Sequence, residues 1–282
     1  MRVVDAHLHL WDPGVLSYDW LPGPLIRPFG PAELEAAVGE EPDAEYEFVF
    51  VQAECAPDQS IAEVDWVVSL APRVRARGIV ARAPLEDPAA TAAHLAAFAE
   101  RQLVVGVRRL LQSEPAGFSA TAAFRESARA VASAGLVFDA CVRWGQLPDV
   151  VALADAVPGL TIVLDHVGKP EVGEAAGTGR VARMPWAESL QELARRPNVV
   201  CKLSGLPAEA TDGWTDAQVR PFLDVALDAF GPDRLLFGSD WPVSAPYRRW
   251  VQTVVTWLDE HLDESGRDAV LAANAERVYR LR

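Results

Sequence analysis

The strongest constraint on the fold is an alternation of element types. Short β-rich apolar runs take turns with longer stretches whose apolar residues recur at helical spacing. The runs are Val3–Leu10, Glu47–Glu54, Gly78–Leu85, Leu103–Leu110, Leu136–Arg143, Leu160–His166, Asn198–Ser204 and Leu235–Gly238. Between them the spacing predicts helices over Ala32–Val38, from Ser60 through Ala71, over Ala89–Arg101, Ala122–Ala134, Leu147–Ala156, Pro185–Arg196, Thr215–Phe230 and Tyr247–Leu262, with Asp268–Tyr279 closing the chain. Strand, helix, strand in this order demands parallel strands joined by right-handed crossovers. Eight such units predict an α/β fold: one (β/α)8 barrel, regular or distorted, as a single domain over residues 1–282. An open doubly wound sheet would carry a glycine-rich phosphate loop after its first strand, where this chain has His-Leu-His-Leu-Trp-Asp-Pro.

Two connections are long for such a barrel. Residues 11–31 hold five prolines, three glycines, Trp11, Trp20, Tyr18 and Phe29, too many breakers for a regular element. Their aromatic content predicts an ordered flap packed over something. Residues 168–185, after the sixth strand, are rich in Gly and Ala and read as a second loop.

Charge and composition remove whole classes of function. A net charge of −14 opposes tracking along nucleic-acid phosphates, which needs a basic face. No stretch is long and apolar enough for a membrane span. No charged start and apolar run precede the strand that begins at residue 3, so no secretory leader is expected. Cys55, Cys141 and Cys201 are odd in number and far apart, which fits buried thiols in a reducing, cytoplasmic setting.

A barrel of this kind carries its chemistry at the C-terminal ends of its strands. Those ends hold His7 and His9, then Gln52 and Glu54, Arg108 and Arg109, Arg143, His166 and Lys169, Lys202 and Ser204, and Asp240. Alternation along a strand puts His7 and His9 on one side, roughly 7 Å apart, with Val4, Ala6, Leu8 and Leu10 on the other. The two imidazoles can then converge on one ion or one substrate oxygen. His94 and His261 fall within helices and are expected to be solvated. Asp240 leaves a buried strand directly into a turn, in Phe237-Gly238-Ser239-Asp240-Trp241-Pro242.

The opening His-Leu-His, Leu-Asp-His-Val-Gly-Lys-Pro at strand six and Gly-Ser-Asp-Trp-Pro at strand eight resemble the amidohydrolase superfamily, in its lactonase branch. Arg-Arg-Leu-Leu-Gln after strand four and Cys-Lys-Leu-Ser-Gly at strand seven are similar too. That branch holds sugar-lactone hydrolases of the fuconolactonase and rhamnonolactonase type, and 2-pyrone-4,6-dicarboxylate lactonase. The likeness spans the whole chain. It departs at strand five, where Asp139, Cys141 and Arg143 stand in place of a histidine ligand, and at strand four, where arginines replace a lysine or glutamate.

The resemblance implies hydrolysis of a lactone ring, with Asp240 as general base and His7, His9 and His166 beside it. It implies no metal, or one divalent ion such as zinc held by His7, His9 and Asp240. Arg108, Arg109, Lys202, Glu209, Gln52, Arg143, Trp144 and Trp241 are the expected substrate contacts. Glu209 in particular is expected to repel a carboxylate and to favour a sugar lactone over a dicarboxylate one. A metal-dependent non-oxidative decarboxylase of the same superfamily, or a dicarboxylate lactonase, is the alternative activity.

Overall fold

The computed structural model describes residues 1–39, 44–173, 179–210, 213–244 and 246–282. Eight parallel strands pair in sequence order: β1 (Arg2–Leu8), β2 (Glu45–Val51), β3 (Ala76–Arg82), β4 (Val104–Arg108), β5 (Val137–Ala140), β6 (Ile162–Leu164), β7 (Val199–Leu203) and β8 (Leu235–Phe237). The ring is drawn together between its first and last strands. Asp240 N donates to His7 O at 2.7 Å, and His9 N donates to Trp241 O at 2.8 Å. The result is the (β/α)8 barrel that the alternation predicts.

The strands end earlier than their apolar runs. His9, Gln52, Arg109, Arg143 and Asp240 all lie just past a strand end in loop conformation, and His166 lies in the short 3₁₀ turn Asp165–Gly168 that follows β6. Between strands run α1 (Pro31–Val38), α2 (Ser60–Val74), α3 (Pro88–Ala99), α4 (Ala122–Ser133), α5 (Leu147–Ala156), α6 (Pro185–Ala194), a four-residue α7 (Leu206–Glu209), α8 (Asp216–Phe230) and α9 (Tyr247–His261). Local chemistry starts and orients them. The Asp87 side chain accepts from Ala89 N and Ala90 N with Pro88 as the first helical residue, and Thr121 accepts from Phe124 N. Such caps contribute about 1 kcal/mol each. In α4 the buried Phe124, Ser127, Ala128 and Val131 form one stripe against the sheet.

Inside and outside of the barrel are separate clusters. Phe48, Phe50, Ile79, Phe138, Ile162 and Leu235 pack outward against helix side chains. Val4, Ala6, Val49, Val80, Val163 and Val200 pack inward. The inward layer is completed by Ala272, Ala275, Val278 and Tyr279 from the closing segment, which runs as α10 (Glu264–Asp268), a π turn (Ala269–Ala273) and α11 (Asn274–Tyr279). It starts earlier than Asp268 and is interrupted by the wider turn. Asn274 Nδ2 donates to Leu235 O and Arg77 Nε to Arg282 O, so this segment sits under the N-terminal ends of the strands. Ala275 is fully buried there; a glutamate in its place would carry an unpaired charge into an apolar layer.

β1 departs from simple alternation. Its pairing with β2 runs from Arg2↔Glu45 to Asp5↔Phe48 and resumes at Leu8↔Phe50, one residue longer on the β1 side. Val4 and Ala6 therefore belong to the inner cluster, while Leu8 and Leu10 join the outer one. The expectation of all four on the face opposite the histidines fails because the bulge restarts the count.

The residue 11–31 connection is an ordered flap. Trp11 is fully buried, bridges to Phe29, and lies edge-on to Trp20 at 5.5 Å. The second predicted loop, 168–185, includes residues 174–178, which lie outside the described residues. No helix among the described residues is long and apolar enough to cross a membrane.

Candidate active site

Three strand ends, those of β1, β6 and β8, bring four side chains to one point at the barrel mouth. His9 Nε2 lies 3.3 Å, His7 Nε2 3.7 Å and His166 Nε2 3.8 Å from Asp240 Oδ1. The other carboxylate oxygen, Oδ2, accepts from Ser244 Oγ at 2.6 Å. His7, His9, His166 and Asp240 are each no more than 5% exposed.

Local backbone makes this convergence. His166 and Val167 both have positive φ, 55° and 53°, and the following turn is held by Trp186 Nε1 donating to Val167 O. A β-branched residue in that region is strained by about 1–3 kcal/mol, the sort of cost found where a side chain must be aimed. His166 Nδ1 bonds Ser204 Oγ at 3.0 Å. It lies so close to Gly205, itself at φ 68°, that a Cβ there would come within 2.3 Å of the ring. Asp240 also has positive φ, 57°.

Beneath the mouth lies a second, wholly buried layer. Lys202 Nζ pairs with Asp139 Oδ2 at 2.5 Å and Asp165 Oδ1 at 3.0 Å, and approaches His7 Nδ1 to 3.1 Å. Tyr279 OH donates to the Asp139 carboxylate from below at 2.9 Å. Arg108 donates to Gln52 O at 2.5 Å and reaches Asp165 Oδ2 at 3.5 Å.

These contacts set the protonation of the site. Burial alone would raise the Asp240 carboxyl, but His166, His9 and His7 outweigh it and hold Asp240 well below the usual carboxylate range. Burial pushes His166 down to about 4, and Lys169 adds to that effect against the pull of Asp240. His7 is lowered well below its ordinary value by burial and by Lys202. At neutral pH the Asp240 carboxylate therefore stands beside neutral His7 and His166 rings.

The donor set fits a metal ion. His9 Nδ1 bonds Val51 O at 2.8 Å, so its Nε2 presents a lone pair inward. His7 Nε2, His9 Nε2 and Asp240 Oδ1 form a triangle with sides of 3.2, 3.3 and 3.7 Å. Ligand atoms bound to tetrahedral zinc at about 2.0–2.1 Å are spaced about 3.3 Å apart. A second group, His7, Asp165 and His166, also has metal-ligating atoms close together. It is the poorer host, because Asp165 already faces Lys202 and Arg108.

Of the expected substrate contacts, Arg108 is among the residues that line the cavity, and Arg109, Lys202, Glu209, Gln52, Arg143, Trp144 and Trp241 are not. Arg109 alternates outward from Arg108, pairing with Glu86 and Glu114. Lys202 is fully buried below His7. Gln52 is fully buried and braces Glu54, donating to its carboxylate and accepting from its N–H. Arg143 is exposed, Trp144 packs against the core, and Trp241 packs edge-on against Phe29 at 5.6 Å. Glu209 is engaged by Lys169 at 3.3 Å, which neutralises the repulsion assigned to it. His94 is partly buried and bonds Ser60 Oγ, where solvation was expected.

The cavity, about 410 Å³, runs from Asp240, His9 and His166 out to Trp20 and Asp19 of the flap. Glu54, Arg82, Gln112 and Ser113 give it polar walls, and Cys141 occupies the strand-five position. Trp20 Nε1 donates to Ala53 O at 2.7 Å, fixing the indole at the rim.

The family model described as Amidohydrolase matches residues 4–281. The chain belongs to the amidohydrolase family. This amidohydrolase is 34% identical to an L-fucono-1,5-lactonase of Burkholderia multivorans, over 99% of this chain and 96% of that protein. An L-rhamnono-gamma-lactonase of Scheffersomyces stipitis is 28% identical over 64% of this chain and 60% of its own length. Among solved structures, an amidohydrolase from Burkholderia multivorans with bound zinc superimposes with a TM-score of 0.85 at 32% identity, covering all of both chains.

Proposed function

We propose that this amidohydrolase opens the ring ester of a sugar lactone by adding water. The observation that carries the reading is the Asp240 carboxylate with three imidazoles within 3.8 Å, at the floor of a cavity of small-molecule size. The lactonases that this chain resembles along its length support it.

Asp240 takes a proton from water at Oδ1 as the water attacks the ring carbonyl. Ser244 holds Oδ2, so the carboxylate cannot swing away. Because Asp240 is a weak base in these surroundings, it hands the proton on readily to the far more basic ring oxygen as the C–O bond breaks. His166, whose Nε2 lies 3.8 Å from Asp240 Oδ1, orients the incoming carbonyl, with Arg108 contributing positive charge as the oxygen becomes anionic. A divalent cation held by His7, His9 and Asp240 would supply Lewis-acid polarisation of the same carbonyl. Cys141 is pushed up to about 12 by burial, so it carries no thiolate for a covalent route.

The walls support a polyhydroxylated ring. Asp19, Glu54, Gln112 and Ser113 offer partners for hydroxyl edges, and the Trp20 indole offers a face. Free, buried Cys55, Cys141 and Cys201 support a reducing, cytoplasmic setting. The test is proton release, followed with a pH indicator, from a panel of aldonolactones and one pyrone dicarboxylate. Turnover of an aldonolactone is expected. Silence across the aldonolactones, or preference for the dicarboxylate, would overturn the reading.

A further inference from the structure

Glu54 reaches the cavity from a backbone that is held at each polar atom leading up to it. Gln52 N donates to Val80 O at 2.9 Å, and Gln52 O accepts from Arg108 Nη2 at 2.5 Å. Ala53 N donates to Glu63 Oε1 at 3.0 Å, and Ala53 O accepts from Trp20 Nε1 at 2.7 Å. Glu54 N donates to Gln52 Oε1 at 2.7 Å. The chain then turns at Glu54 through φ 55°, a left-handed conformation that a residue with a Cβ rarely adopts. The side chain is fixed as well, because the fully buried Gln52 donates from Nε2 to Glu54 Oε1 at 2.6 Å. A carboxylate that served only to be solvated would need none of this. Its second oxygen, Oε2, has no partner among the described residues.

The same cavity holds a cation in a matching state. Arg108 is engaged by Gln52 O and Asp165, and Lys169 by Glu209. Arg82, half-buried at the end of β3, has no hydrogen-bond or ion-pair partner for its guanidinium among the described residues, and it does not close on Glu54. An open acceptor and an open donor in one small cavity call for a ligand group that both donates and accepts, and a hydroxyl does both. A ligand carboxylate would meet Arg82 only in the company of Glu54 and Asp19, which repel it. A methylene in that place would desolvate both charges and pair neither.

We infer that Glu54 is the specificity-determining residue of this cavity: its Oε2 accepts a hydrogen bond from a ring hydroxyl remote from the ester, Arg82 donates to the ring's oxygens, and lactones that lack that hydroxyl are rejected. Because the carboxylate is braced before the ligand arrives, little ordering cost is left to subtract from the contact. The inference rests on the sugar-lactone reading and names the residue that selects within that class.

The test is a cycle of substrates against variants. kcat/KM is measured for an aldonolactone that the wild type turns over and for its singly deoxygenated analogues, in wild type and in Glu54→Ala, with melting temperatures alongside. The wild type is expected to prefer the parent lactone over one analogue by about 10–100-fold, the worth of a hydrogen bond to a charged group. In Glu54→Ala that ratio is expected to fall to within about twofold, the scatter of independent effects, because the parent loses the contact and the analogue has none to lose. A variant that weakens parent and analogue alike and keeps the ratio would show that Glu54 only shapes the wall, and would overturn the inference while leaving the lactonase reading in place. A wild type indifferent to the loss of each hydroxyl would do the same. A wild type silent toward every aldonolactone would overturn both. Should Glu54→Ala not fold, Glu54→Gln keeps the bond from Gln52 and puts an amide NH₂ in place of the open oxygen. It is expected to lower the same ratio at least about threefold, and an unchanged ratio would again overturn the inference.

Discussion

Asp240 donates its backbone N–H to the carbonyl of His7 at 2.7 Å, so the last strand is joined to the first at the point where both deliver their working side chains. Barrel closure and site assembly are the same event. Gly238, two residues before Asp240, makes this approach possible, since a Cβ there would lie 2.8 Å from that of His7.

Replacing Asp240 by asparagine keeps the shape and removes the proton acceptor. We expect kcat for an aldonolactone to fall by about 10²–10⁴, with the melting temperature near that of the wild type. Near-normal kcat would assign the proton to another group.

The acid limb of the rate profile should lie unusually low. His166, pushed down to about 4, gains its proton only as the pH falls through that value, and Asp240 remains ionised lower still. Above pH about 5 both groups are in their working forms, so kcat/KM should be flat into the neutral range. An acid limb near the ordinary imidazole value of about 6.5 would show that His166 is not shielded as described.

Trp20 touches the cavity but not the reacting centre. Trp20→Ala should raise KM by about two- to tenfold, the worth of one aromatic contact, and leave kcat within a factor of about two. A fall in kcat with KM unchanged would mean that the flap helps to assemble the site and does not merely hold the ring.

Glu63 lies outside the catalytic layer, fully buried, with Oε1 accepting from Ala53 N and Oε2 unpartnered. Burial raises its carboxyl from 4.5 to about 7. Between those values the folded chain holds a proton that the unfolded chain has released. Stability is therefore fully present below pH 4.5 and declines as the pH rises to about 7, by about 3 kcal/mol for this group. Glu63→Gln should remove that part of the decline, which urea unfolding at pH about 5 and about 8 would measure. Equal declines in wild type and variant would exclude Glu63 as the cause.

The barrel was legible because buried parallel strands and amphipathic helices leave unmistakable periods, and the mouth residues were legible because polar groups at strand ends stand out. What alternation conceals is direction. Arg108 and Arg109 are equivalent on the page, yet one enters the cavity and the other pairs with Glu86 and Glu114. The buried layer had a signal of its own: Asp139, Asp165 and Lys202 are charged residues inside otherwise apolar strand runs, which calls for partners. Trp20 and Gln112 had only coarse signals, the aromatic content of the flap and the Arg-Arg-Leu-Leu-Gln motif, since loops bring them to the cavity and no period governs loops.

The closing helix gives the barrel a floor. With Ala272, Ala275, Val278 and Tyr279 filling its lower end, the described residues leave one door to Asp240, the mouth beneath Trp20. Lactone, water and the released hydroxy acid all share that passage. The acid must clear it before the next ring can enter, so the hydroxy acid competes directly with its own precursor.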